Sequence, residues 1–159
     1  IETLSLSDLL KINISDDKKN TQIDTLVKNY ENQLGNINQK SLDAYNKLWT
    51  ATEKTLEIMK PGISCKEVYE SLSKNLFSKN VKSNVGRMGH GFGLQLTEPP
   101  SIMIDDNTIL EKNMILALEP SIKIENDLML VHEENILITQ NGNRLLSSRT
   151  PKELPVINV

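Results

Sequence analysis

The spacing of the apolar residues changes near Asn80, and that change confines the chain to folds in which its helices come before most of its strands. Upstream of it, Leu42, Tyr45, Trp49, Thr52, Leu56 and Met59 recur at alternating steps of three and four, which marks one face of a long helix. Pro61-Gly62 stops that helix. Ser64-Cys65-Lys66-Glu67 then has the form of a capping box and opens a second helix with Val68, Leu72 and Leu76 inward. Beyond Asn80 the chain is glycine-rich and reads as strands. Phe92, Leu94 and Leu96 alternate until Pro99-Pro100 ends their segment, and residues 114–118 have the composition of a buried strand. Residues 121–124 and 128–132 flank Glu125-Asn126-Asp127 as a hairpin, and Asn141-Gly142 is a turn dipeptide before residues 143–146. Near the start, Leu10, Ile12 and Ile14 alternate as in a half-buried strand, with a second short strand over residues 23–27. The fold class predicted is α+β, with helices packed on one face of a mostly antiparallel sheet.

With 159 residues, 38% of them apolar, the chain can bury one core, so a single domain over 1–159 is expected. Its 18 Lys and Arg are interspersed with 21 Asp and Glu, which leaves no basic surface for nucleic acid. No apolar run approaches the roughly 20 residues a bilayer span requires, so no membrane partner is expected. The one cysteine, Cys65, excludes an internal disulfide and fits a reducing compartment, which points to the cytoplasm. The chain opens at Ile1 with no charged-then-apolar leader, and is read as a fragment or a processed product.

Three residues stand out chemically. His90 lies in Gly89-His90-Gly91-Phe92-Gly93, where glycines let the backbone approach closely and leave the imidazole open to a ligand. The alternative is a structural histidine with its hydrogen bonds met inside the protein. Glu119 ends the apolar run 114–118, and Glu133 stands between Val131 and Ile136-Leu137-Ile138. A carboxylate buried there without a partner costs several kcal/mol, which a metal, a cation or a proton must offset. Two glutamates and a histidine make a hard-cation site; the competing reading is strand-end carboxylates paired with Lys123 or Lys112.

Three ordered runs, 86–101 around His90, Leu118-Glu119-Pro120, and Val131-His132-Glu133-Glu134-Asn135-Ile136, resemble the creatinase and Xaa-Pro peptidase superfamily. The resemblance extends back through 44–49 and 60–63 and forward to 151–157. It looks most like the branch that holds ectoine hydrolases and proteins named Xaa-Pro dipeptidases. It implies a pita-bread fold, a curved and mostly antiparallel sheet with helices on its outer face, of which this chain is the C-terminal portion. Only twelve residues precede Asn13, so upstream sequence, a separate chain or a homodimer partner is expected to complete the core.

The resemblance also implies a divalent metal site, of one or two ions of Mn, Co, Fe or Zn. Peptidases of the superfamily use two aspartates, a histidine and two glutamates. His90, Glu119 and Glu133 match three of them, Glu133 standing six residues before Thr139 as the family's last ligand does. Aligning Ser7-Asp8-Leu9-Leu10 with the family's first motif puts Asn13 and Asp24, eleven residues apart, at the aspartate positions. Asn13 departs from the pattern, as does Thr25-Leu26-Val27-Lys28 where an arginine-containing signature is usual. Three carboxylates leave two divalent ions one negative charge short, and a neutral amide is a weaker ligand for a hard cation.

His90 and Glu119 are the implied catalytic residues. Thr97 stands where the family carries a second, substrate-binding histidine, and with residues near Met88 it would shape the pocket. His132 is the other candidate substrate-binding residue, although a regular strand over 128–136 turns it to the face opposite Glu133. The leading reading is a metal-dependent hydrolase of a small C–N bond substrate, a dipeptide with proline or an ectoine-type solute. Its alternatives are a degenerate member kept for binding or assembly, and a metal-free creatinase-like enzyme or a lyase.

Overall fold

The computed structural model describes residues 38–77, 86–125 and 128–155, and residues 39–155 lie in one compact unit. The expected strands near 10–14 and 23–27 fall outside the described residues. Among the described residues two helices come first, α1 (Gln39–Ile58) and α2 (Cys65–Leu76). α1 buries Ala44, Tyr45, Leu48, Ala51, Thr52 and Thr55. The stripe is therefore rotated from the one the spacing marks: small Ala51 and Thr55 seat against α2 while Trp49 and Leu56 are half-buried beside them. A Thr55–Ser71 hydroxyl pair at 2.9 Å ties the two helices within this packing.

The chain leaves α1 through Pro61 and Gly62, whose φ of 96° lies in the left-handed region open to glycine. Asn143, far along the chain, donates its amide to the Leu56 and Met59 carbonyls at 2.6 and 2.9 Å and so satisfies the end of the helix. α2 opens on the expected capping box, with Glu67 N–H donating to Ser64 Oγ and Ser64 N–H to Glu67 Oε2. Val68, Leu72 and Leu76 all face inward.

Seven strands follow: β1 (Gly89–Gly91), β2 (Glu98–Ser101), β3 (Ile115–Leu118), β4 (Ser121–Glu125), β5 (Leu128–Val131), β6 (Glu134–Ile138) and β7 (Asn143–Leu145). They form a five-stranded sheet in the order β2-β1-β3-β6-β7 and a two-stranded sheet β4-β5. All the pairings are antiparallel, as the sequence predicts. The core lies between the helices and one sheet face, and contains Leu48, Met59, Leu72, Leu116, Leu118, Ile136 and Ile138.

Two strand expectations are corrected. Leu94 and Leu96, 103% and 89% exposed, lie in a loop between β1 and β2. Gly93 N–H bonds back to the Gln95 carbonyl there, which bends the chain instead of extending it. Pro99 and Pro100 lie inside β2 rather than ending a strand. β2 is at the edge of its sheet and its register with β1 shifts between His90 and Gly91, the edge and bulge positions where proline is tolerated.

The two sheets share one long hairpin. Leu118 faces Glu134 across β3 and β6, and Ser121 faces Val131 across β4 and β5. Counting inward from either side pairs Glu119 with Glu133 and Pro120 with His132. His132 N–H donates to the Pro120 carbonyl at 3.1 Å, but Pro120 has no N–H to return, and the ladder is interrupted there. Strand alternation then sorts the side chains. His90, Ala117, Glu119, Glu133 and Asn135 share one face by register, while Leu118, His132, Glu134 and Ile136 share the face toward the core.

Replacing Asn143 by Ala is expected to leave the Leu56 and Met59 carbonyls unmet and to lower unfolding free energy by about 1–3 kcal/mol. Urea denaturation read by far-UV circular dichroism measures it, and an unchanged midpoint would show that the cap contributes nothing.

Candidate functional site

Glycines at 89 and 91 bring three strands close around His90. A side chain at Gly89 would collide with the Ala117 carbonyl and Ile102, and one at Gly91 with the Pro99 carbonyl. His90 is 7% exposed. Its Nδ1 lies 2.9 Å from the Gly91 carbonyl. A carbonyl can only accept, so Nδ1 carries the proton and Nε2 presents its lone pair.

That Nε2 points toward Glu119 Oε1 at 3.7 Å. The separation is too long for a hydrogen bond, and both atoms are electron-pair donors when the carboxylate is ionised. A cation seated between them is what such a pair suits. Arg87 Nη2 stands 3.5 Å from the same Glu119 oxygen, with both side chains partly exposed. An ion pair so placed contributes little stability. Glu119 is held by backbone on both sides: its N–H donates to the Met88 carbonyl at 2.9 Å, and Pro120 follows.

Glu133 is exposed, at the ladder position facing Glu119. Because the flanking pair is the one that carries the His132 to Pro120 bond, Glu119 and Glu133 occupy a non-hydrogen-bonded position, where facing side chains come nearest. Among the described residues no three His, Cys, Asp or Glu side chains stand close enough together to hold a metal. Asn13 and Asp24 lie outside the described residues. Thr97 is exposed at the end of the loop that follows β1. Met88 itself is wholly buried in the core, while its neighbour Arg87 is exposed.

His132 does not join His90 and Glu119. It is 4% exposed on the core face, its ring parallel to that of Tyr45 with centroids 6.2 Å apart. Its Nε2 lies 3.0 Å from Glu134 Oε1. Glu134, 1% exposed, is also bonded by Arg149 Nη1 and, at 3.3 Å, by Thr150 N–H. Arg149 Nη2 reaches Glu53 Oε2 at 3.0 Å, and its guanidinium lies over the Trp49 ring at 5.0 Å. Tyr45 donates its hydroxyl proton to the Pro151 carbonyl, and Trp49 donates to Thr150 O at 3.2 Å.

Sequence reading does not reach this cluster. Alternation from Glu133 could have turned Glu134 inward, but no local signal connects it to an arginine 15 residues later. Cys65, the remaining reactive residue type, is buried at the start of α2; desolvation, helped by Asp106, pushes its thiol up to about 12, so it serves as packing.

Burial works against charge at both His132 and Glu134, with different results. Desolvation lowers His132 below its ordinary 6.5, the hydrogen bond to Glu134 opposing it. Desolvation would raise Glu134, but the Arg149 and Thr150 bonds and His132 together hold it below its ordinary 4.5. Both groups bind fewer protons folded than unfolded, so the stability they contribute is present above those ordinary values and is lost as pH falls through the folded ones. The urea midpoint is therefore expected to decline as pH drops below 6.5 and again below 4.5. His132→Asn should flatten the first decline and Glu134→Gln the second; parallel curves for wild type and variants would contradict the assignment.

Residues 32–140 match metallopeptidase family M24. The chain is 33% identical over 123 residues to the Xaa-Pro dipeptidase of Pyrococcus horikoshii, covering 76% of this chain and 34% of that protein. It is 31% identical to the Xaa-Pro dipeptidase of Pyrococcus furiosus, covering 76% and 35%. Among solved structures, the prolidase from Pyrococcus horikoshii superposes with a TM-score of 0.69 at 30% identity, over 76% of this chain and 35% of that one. The prolidase from Pyrococcus furiosus gives 0.68 at 29%, over 74% and 35%. The chain spans about a third of the length of the curated relatives it matches.

Proposed function

The chain belongs to metallopeptidase family M24, and from that premise we propose that it carries part of the active site of a metal-dependent hydrolase. The substrate is a small molecule with a C–N bond, an Xaa-Pro dipeptide or an ectoine-type solute. The observation that carries this reading is the facing of His90 Nε2 and Glu119 Oε1, two donors 3.7 Å apart and not bonded to each other. The proposed substrate class is supported by the Xaa-Pro dipeptidases among its relatives.

His90, Glu119 and Glu133 would hold the metal, with Asp24 and Asn13 completing the donors. A bound divalent ion of Mn, Co, Fe or Zn supplies Lewis-acid polarisation and a water acidified toward neutrality. The Nδ1 bond to Gly91 keeps the His90 lone pair aimed outward, so no reorientation is needed on binding. Glu119 takes the proton from the attacking water and returns it to the leaving nitrogen. Thr97, exposed just before β2, would donate one hydrogen bond to the substrate and cannot act as a charged acid.

A second reading, a non-catalytic member that keeps the fold for binding or assembly, draws on Arg87, which gives Glu119 a counter-charge of its own. Elemental analysis of the purified protein separates the two. Near-stoichiometric metal that is lost in His90→Ala, and that rises toward two ions in Asn13→Asp, is expected of the hydrolase. Xaa-Pro cleavage should fall by at least about a hundredfold in Glu119→Gln. No metal in any form, even after reconstitution with Mn or Co, would sink the metal-dependent hydrolase and leave the non-catalytic and metal-free readings.

A further inference from the structure

We propose that Arg149 is a positioning residue for Glu133, acting from the opposite face of the sheet through Glu134. This rests on the reading of Glu133 as a metal ligand. The need for such a residue comes from the hairpin. At Pro120 and His132 the ladder has one bond where a regular pair has two, and Glu133 is the next residue, exposed. Backbone pairing alone holds that stretch of strand weakly.

The side chains on either side of Glu133 supply what the ladder lacks. His132 and Glu134 both turn into the core, and Glu134 Oε1 receives Arg149 Nη1, Thr150 N–H and the His132 ring. Arg149 is itself fixed by Glu53 and by the face of Trp49. Tyr45, Trp49 and Glu53 lie four residues apart along one stripe of α1, and all three contact residues 149–151. The anchor is thus a helix, reached through an arginine whose planar fork bonds two carboxylates at once. Since successive strand residues face opposite ways, holding Glu134 inward holds Glu133 outward, toward His90 and Glu119.

Electrostatics makes the proposal separable from a plain charge effect. Removing a positive charge near a cation site should strengthen metal binding, whereas loss of a positioning contact should weaken it. The test is titration of the metal-free protein with Co²⁺, followed by visible absorption, alongside thermal melts. Arg149→Met should bind Co²⁺ about 10–100-fold more weakly with an altered ligand-field spectrum, and Arg149→Lys should recover part of the affinity. Asn143→Ala, which loses the cap on the end of α1 and touches none of these residues, should lower the melting temperature while its Co²⁺ affinity stays within about twofold of wild type.

Unchanged or tighter Co²⁺ binding by Arg149→Met would overturn the positioning role and leave the hydrolase standing. So would an Asn143→Ala variant that loses affinity as much as Arg149→Met for the same loss of melting temperature. Wild type that takes up no Co²⁺ would overturn the hydrolase and this proposal with it.

Discussion

The rest of the structure depends on the unbroken register of one antiparallel hairpin, in which Leu118 faces Glu134 and Ser121 faces Val131. Sliding either strand by a single residue would send Glu119 or Glu133 into the core and bring Glu134 or His132 out. The register is enforced from the core side, where Leu116, Leu118, Ile136 and Ile138 are wholly buried beneath the helices. The geometry of the candidate site on one face is therefore a by-product of apolar packing on the other. The glycines around His90 serve the same end, since a side chain at either would push β1 away from its neighbours.

Much of this architecture is legible in the sequence because it is local. The capping box at Ser64 and Glu67 needs four consecutive residues, and the structure forms both of its bonds. The alternation that makes 121–124 and 128–132 a hairpin, and the turn at Asn141-Gly142, likewise depend on neighbours alone. Glu133 and Glu134 fall on opposite faces, one exposed and the other 1% exposed, as strand alternation requires of neighbours.

What stays hidden is what depends on partners distant in the chain. Leu94 and Leu96 have the spacing of a strand, yet alternation cannot show whether a neighbour is there to pair, and a turn at Gly93 takes them out to solvent. Pro99-Pro100 reads as a stop only if the strand is internal; at the edge of a sheet it is tolerated. His132 could be assigned a face but not a role, because its partners Tyr45 and Arg149 lie 87 residues before it and 17 after it. The rotation of the α1 stripe toward Ala51 and Thr55 has the same origin, since small residues become the better contact only when a second helix is known to cross there.

The clamp of residues 149–151 onto α1 has a consequence for how the protein is made. Its contacts join positions 101 and 106 residues apart, among the costliest loops to close, and topologies rich in such pairs fold slowly. During synthesis α1 emerges well before the arginine that will dock on it. Tyr45, Trp49 and Glu53 therefore wait, without these partners, until the ribosome has released residues 149–151. The carboxylate of Glu134, buried and needing that arginine, can be seated only then. The order of synthesis thus sets a bound on folding: the charged cluster beneath Glu133 cannot close before residues 149–151 have emerged.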